Sequence, residues 1–188
     1  ISSKRHYEIL NDLAVNAKHI FNFKILDYNY KSEPSIEIIK DLISNVDFVP
    51  DTIIAVGGGS VIDSAKAIKA LFNEDFPLRI GKRKNIVSNS DFLNAELIVV
   101  PSVVGSGAEV SSSSVILDDK KIYLASRNLV PNKVIYDLNL YKTLTDDQKI
   151  FGIGDSIVHL IESTFSKLNN GIMSLQLSNL LLNSYNNL

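Results

Sequence analysis

Cysteine is absent from the 188 residues, which excludes a disulfide framework and any thiolate metal site and leaves nothing pointing outside the cell. A surplus of one charge is absent too. Nineteen Lys and Arg against 21 Asp and Glu give a formal net charge of -2, and the lysines are scattered apart from the short Lys82-Arg83-Lys84 cluster. Nucleic acid is therefore not an expected partner. No apolar run approaches the ~20 residues that span a bilayer, and no signal-peptide pattern opens the chain, so the expectation is a cytoplasmic protein with no membrane partner. Internal repeats are missing, as is any low-complexity tract beyond the serines at 111 to 114. What remains is an ordinary globular composition, 45% hydrophobic, long enough for one good-sized domain or for one domain and part of another.

Against that background one stretch stands out, Asp51-Thr-Ile-Ile-Ala-Val-Gly-Gly-Gly-Ser60. A β-branched apolar run stops at three glycines, after which Val61, Ala65, Ile68 and Phe72 recur on one helical face. The pattern predicts strand, tight turn and helix. Glycines let a backbone approach a ligand closely, and the free N–H groups and positive dipole end of a helix favour an anion, so a phosphate is the expected occupant of this corner. Ser60 is expected to cap the helix or to donate to the phosphate, and Asp63 to complement the dipole from the first turn. The stretch is not the G-x-G-x-x-G fingerprint, because no glycine follows three residues after Gly59. A glycine-rich corner with nothing bound is the alternative.

Taken in order, the spacing of Tyr7, Leu10, Leu13, Ala14 and Ala17 predicts a helix from Lys4 to about Lys18, and Phe21 to Leu26 a short strand ending at the acidic Asp27. In dinucleotide-binding folds an acidic side chain at a strand end accepts from the adenosine ribose hydroxyls and repels a 2′-phosphate; a surface aspartate is the plainer possibility. Pro34 is expected to start a helix carrying Ile36, Ile38, Ile39, Leu42 and Ile43. Asn73 to Asn94 is polar and turn-rich and predicts a surface excursion. Leu97 to Val100 predicts a buried strand, broken by Pro101 and followed by a second small-residue loop, Ser102 to Ser111, where a parallel sheet commonly offers a ligand crevice. Ser114–Leu117 and Lys121–Ala125 predict a hairpin, Val134–Asp137 a further short strand, and Leu138–Asp147 a connector with a domain boundary near Thr145.

The remainder changes character. Asp155 and His159 are four residues apart and Glu162 seven, so a helix places all three on one face. Carboxylate and imidazole one turn apart suit a divalent iron or zinc, but two ligands are not a site, and a histidine hydrogen-bonded to its helix neighbours explains the spacing equally well. From Gly171 to Leu188 a leucine-rich helix needs neighbours on several sides. Residue 1 is Ile, and the chain closes at or just past that helix, so the expectation is part of a longer protein.

These pieces in this order resemble the iron-containing (group III) alcohol dehydrogenase family. Its motif GGGSxxDxAK appears as Gly57-Gly-Gly-Ser60-Val-Ile-Asp63-Ser-Ala-Lys66, its PTTAGTGSEVT is similar to Pro101-Ser-Val-Val-Gly105-Ser-Gly-Ala-Glu-Val-Ser111, and its GxDAxxHAIE is matched by Gly154-Asp155-Ser-Ile-Val-His159-Leu-Ile-Glu162. The resemblance covers nearly the whole chain. It implies a Rossmann-like, mostly parallel α/β domain over residues 1–145, with first strands that would precede residue 1. The start of an all-helical metal-binding domain follows over 146–188, with a divalent metal, Fe2+ or Zn2+, in the cleft between the domains.

By position the resemblance puts Gly58, Gly59 and Ser60 on the pyrophosphate of NAD or NADP, with Asp63 counted among the cofactor-binding residues and Asp27 near the adenosine ribose. It puts Ser102, Ser106, Lys121 and Leu144 on the cofactor side and makes Asp155 and His159 the first two metal ligands. The implied reaction is hydride transfer between a small alcohol or aldehyde and the nicotinamide, in a possible homodimer. Two departures stand out. Val103 replaces a threonine of the second motif, and the two further histidine ligands lie beyond this chain. Dehydroquinate synthase and the glycerol or glycerol-1-phosphate dehydrogenases share the build and are the alternative enzymes. The synthase has Glu where Asp155 stands, and these relatives lack the His159 to Glu162 continuation. An inert, truncated nucleotide-binding module is the alternative from another class.

Overall fold

The computed structural model describes residues 1–3, 6–8, 10–12, 22–29, 33–73, 92–166 and 179. The chain divides into two compact units, one of Ile1–Val103 with Gly107–Thr143, the other of Val104–Ser106 with Leu144–Leu188.

The first unit is built on a parallel sheet. Strands β1 (Ser2–Ser3), β2 (Asp27–Tyr28), β3 (Thr52–Gly57), β4 (Glu96–Pro101) and β7 (Lys133–Val134) lie in the order β2-β1-β3-β4-β7, every pairing parallel. Strand order reverses between β1 and β3, the position at which doubly wound sheets open a crevice beyond their C-terminal ends. β3 and β4 pair in register from Thr52 opposite Glu96 to Gly57 opposite Pro101, so the glycine run and the second loop leave the sheet side by side. β5 (Ser113–Leu117) and β6 (Lys121–Ala125) form a separate antiparallel hairpin.

Helix α1 (Ile36–Ser44) is capped by Ser35, whose hydroxyl accepts from the Ile38 amide, and buries Ile36, Ile38, Ile39 and Leu42. Helix α2 (Gly59–Leu71) is buried on nearly every side from Val61 to Leu71, because sheet strands β3 and β4, helix α1 and strand β5 all pack on it. A helix covered that way takes small side chains, and Ser64, Ala65, Ala67 and Ala70 are solvent-free. Full burial of a large aliphatic such as Ile39, Ile62 or Leu97 contributes about 1.5–3 kcal/mol each.

Several local expectations shift. The helix before Asp27 is present at residues 6–8 and 10–12, but β1 precedes it. Residues 22–26 are not a strand; strand pairing begins only at Asp27, where a partner is available in β1. Pro34 lies outside α1, one residue before its cap. The expected connector contains a short helix α3 (Leu138–Tyr141), capped by Asp137, and the start of the next helix. Residues 74–91 and the final leucine-rich segment lie outside the described residues, apart from residue 179.

In the second unit, α4 (Asp146–Phe165) begins with a capping box, Thr145 accepting from the Gln148 amide while the Gln148 side chain accepts from the Thr145 amide. Ile150, Phe151, Ile153, Val158, Ile161 and Phe165 are at least half exposed along it. No helix among the described residues is long and apolar enough to cross a membrane.

Candidate functional site

The C-terminal edge of the sheet gathers five of the expected residues. β3 ends at Gly57, and the Gly58 carbonyl accepts from the Val61 and Ile62 amides at 3.0 and 3.1 Å, which makes Gly58 the cap of α2. It offers no side-chain capping bond. Gly59 and Ser60 are the first two helical residues, so their N–H groups have no intrahelical acceptor and face outward with the positive end of the helix. The expected Ser60 cap is corrected accordingly: a capping side chain must precede the first turn, and Ser60 sits inside it, exposed.

The corner is also narrow. A Cβ on Gly58 would lie 2.7 Å from Val103 Cγ2, and one on Gly57 2.7 Å from Val61 Cγ2. The Ser102 amide donates to the Gly57 carbonyl at 2.9 Å, and Ser102 is buried. Val103, the departure from the family threonine, thus puts a methyl rather than a hydroxyl against the glycine cap.

Asp27 stands at the same level of the sheet. Its partner in β1 is Ser2, whose partner in β3 is Val56, so Asp27 is two strand spacings, about 10 Å, from the residue preceding the glycines. Its Oδ1 is buried with no hydrogen-bond partner among the described residues. A buried acceptor left open carries a desolvation cost that a donor from a ligand would relieve.

Asp63 is placed differently from the expectation. It is the fifth residue of α2, beyond the first turn, and its Oδ2 accepts from the Val115 amide at 3.3 Å while its carbonyl accepts from Ser114 Oγ at 2.8 Å. Burial pushes its carboxyl up to about 6, against the Val115 bond and the nearby Lys66, which lower it. Lys121 is exposed at the start of β6 and pairs with Glu33 at 3.1 Å. Ser106 and Leu144 belong to the second unit; Leu144 is buried and Ser106 exposed.

Lys66, given no role by the sequence reading, is the largest fully buried side chain among the described residues. Its ammonium donates to Ala108 O at 2.6 Å, Ser111 O at 2.7 Å, Ser111 Oγ at 2.9 Å and Ser113 O at 3.0 Å. Burial lowers it to about 8, opposed by the carboxylates of Asp63 and Glu109. The available signal was a lysine at a position flanked by alanines in a helix otherwise made of core residues.

In the second unit Asp155 Oδ1 and His159 Nε2 are 3.8 Å apart on α4, each about half exposed. Carboxylate oxygen and imidazole nitrogen on one helix face are donor types that suit a divalent iron or zinc ion. Among the described residues no third His, Cys, Asp or Glu joins them. The pair is seated by glycines the sequence reading passed over. A Cβ on Gly152 would lie 2.5 Å from the Val104 carbonyl oxygen, and one on Gly105, at φ +129°, 3.0 Å from Asp155 Oδ2.

The model of the family described as iron-containing alcohol dehydrogenase matches residues 8–138. An alcohol dehydrogenase of Thermococcus barophilus is 37% identical over 142 residues, 70% of this chain and 36% of that protein. An NADPH-dependent butanol dehydrogenase of Clostridium saccharobutylicum is 33% identical over 141 residues, 72% of this chain and 36% of that protein. The solved structure of an iron-containing alcohol dehydrogenase from Thermococcus thioreducens matches with a TM-score of 0.73 at 28% identity, over 91% of this chain and 47% of that one. The chain therefore spans little more than a third of those two relatives and about half of the solved one.

Proposed function

The chain belongs to the iron-containing alcohol dehydrogenase family, and we propose that it carries the cofactor-binding portion of a metal-dependent, NAD(H)-linked oxidoreductase interconverting an alcohol with an aldehyde or ketone. One observation carries this: the side-chain-free cap at Gly58, beside buried Ser102, lies two residues beyond Val56, the residue of β3 that is level in the sheet with the open acceptor of Asp27. The Gly59 and Ser60 amides would hold the pyrophosphate, Ser102 would donate from the adjoining strand end, and Asp27 would accept from the adenosine ribose hydroxyls. The Asp27 carboxylate repels a 2′-phosphate, so NAD(H) is favoured over NADP(H). Bound there, the nicotinamide supplies the hydride acceptor or donor, while the protein supplies position and electrostatics.

Asp155 and His159 would hold a divalent metal, whose contribution when bound is to polarise the substrate oxygen as a Lewis acid. Residues from Leu144 onward then begin the helical portion of a longer enzyme, and the two donors are part of a ligand set completed elsewhere. Asp63 joins α2 to β5 through Ser114 and Val115.

Titration of the purified chain with NADH and NADPH, followed by nicotinamide fluorescence, tests this. NADH is expected to bind more tightly, and Gly58→Ala to weaken it at least tenfold, about 1.4 kcal/mol, with an unchanged circular dichroism spectrum. Binding of neither nucleotide, or a Gly58→Ala chain that binds like wild type, overturns the assignment. With Fe2+ or Zn2+ added, short alcohols, sugar alcohols and the dehydroquinate precursor are compared by absorbance of the reduced nicotinamide. Turnover of the last alone would replace the dehydrogenase by a synthase.

A further inference from the structure

Two parts of the second loop, Val103 and the stretch from Ala108 to Ser113, meet α2. At one end the Val103 side chain meets Gly58, and at the other the Lys66 ammonium reaches the oxygens of Ala108, Ser111 and Ser113. From Gly58 to Lys66 the helix rises about 12 Å. Between the pins the loop turns at Gly107, whose carbonyl accepts from the Val110 and Ser111 amides at 3.1 and 3.2 Å. Three of the four oxygens on Lys66 are main-chain carbonyls, drawn from three residues within a six-residue stretch.

No uncharged side chain of similar length supplies three donors to one point, and a methionine would fill the same volume without the desolvation of an ammonium. As a core-filling residue, then, a lysine is the poorer choice. Its position is explained by what it gathers. We infer that Lys66 is a positioning residue: its buried ammonium fixes the Ala108–Ser113 backbone against α2 and so holds the loop that flanks the Gly58 corner in the form that admits the dinucleotide. This rests on the cofactor assignment proposed above, but the effect on the loop itself does not.

The absence of cysteine makes a clean test available. Lys66→Met and Lys66→Cys chains are compared with wild type, and a portion of the second is alkylated in denaturant with 2-bromoethylamine and refolded, which restores an ammonium on a thioether stem at that single position. NADH affinity is read by fluorescence and amide exchange by mass spectrometry. Expected are a loss of NADH affinity of about tenfold or more in Lys66→Met and in unalkylated Lys66→Cys, faster exchange confined to residues 107–113, and recovery of both on alkylation. Wild-type affinity and protection in both unalkylated variants overturn the inference. So does exchange that rises uniformly along the chain, the mark of a residue that only fills the core. Local exchange that rises without any change in affinity overturns the link to the dinucleotide. Should Lys66→Met not fold, the alkylated and unalkylated Lys66→Cys pair gives the same comparison. If wild type binds no NADH, the cofactor assignment fails, and the exchange measurements judge the loop by themselves.

Discussion

Two glycines two residues apart on α4 should respond to alanine in opposite directions. Alanine is the better helix former by about 0.8–1.0 kcal/mol, so at Gly154, where an added Cβ meets nothing within 4 Å, the substitution is expected to stabilise by that amount. At Gly152 the same gain is opposed by a Cβ placed 2.5 Å from the Val104 carbonyl oxygen, 2.7 Å from Val104 Cγ2 and 3.1 Å from the Val104 carbonyl carbon. Two of those atoms are backbone and cannot rotate away. Overpacking of this kind costs about 1–3 kcal/mol, and the immobility of the neighbour argues for the upper end. Gly152→Ala is thus expected to destabilise by about 2 kcal/mol net, some 3 kcal/mol below Gly154→Ala. For a chain of this length each kcal/mol moves the unfolding midpoint by about 2–4 °C. Thermal unfolding followed at the helical band should therefore separate the two variants by several degrees. Equal midpoints, or a Gly152→Ala chain more stable than wild type, would refute the claim that helix and loop meet backbone to backbone.

Gly105 and Gly107 differ in the same spirit. Gly107, at φ +63° with open space around it, should accept asparagine for less than about 1 kcal/mol, whereas Gly105→Asn, at φ +129° with Asp155 Oδ2 at 3.0 Å, should cost 2 kcal/mol or more in urea unfolding. The raised carboxyl of Asp63 binds its proton more tightly folded than unfolded. The stability it confers is full below the ordinary 3.8 and lost as pH rises through about 6, a swing with a ceiling of about 3 kcal/mol. Asp63→Asn keeps an acceptor for the Val115 amide, so it should flatten the urea midpoint between pH 4 and 6 and be no less stable than wild type at pH 7; a loss above about 1 kcal/mol there would show that the carboxylate charge is needed. Lys121→Ala removes only an exposed pair with Glu33 and should change stability by less than about 1 kcal/mol, and a larger loss would assign the lysine another partner.

The parallel sheet and its helices were legible because their signals are local. An apolar β-branched run ending in Gly57, Gly58 and Gly59, and isoleucines at helical spacing from Ile36 to Ile43, have one economical reading. The hairpin was equally readable from two short apolar runs around Asp118 to Lys120. Elements whose existence depends on a partner were not. Phe21 to Leu26 has strand composition, but a strand forms only where another offers register, and β1 offers it at Asp27 and Tyr28. The same holds for β1 itself, two serines that no pattern would mark and that pair on both sides, with β2 and β3.

In the candidate site, what could be read was the glycine corner between strand and helix, and what could not was the set of residues packed behind it. Glycines before a helix announce a corner whatever lies around them. Which of Ser60, Asp63 and Lys66 faces outward depends on the phase of α2 relative to β5, and that phase is set some fifty residues later in the chain, where Ser114 and Val115 bond to Asp63. Asp63 is consequently bonded to the hairpin, and Lys66 is buried against the Ala108–Ser113 backbone. Burial draws their ionisations toward each other, to about 6 and about 8, so near neutral pH both are charged at some cost in stability. That arrangement makes little sense for a helix whose task is only to pack. It does for one that must hold a loop of carbonyls in place, since an ammonium supplies the donors and the oxygens of Ala108, Ser111 and Ser113 receive them.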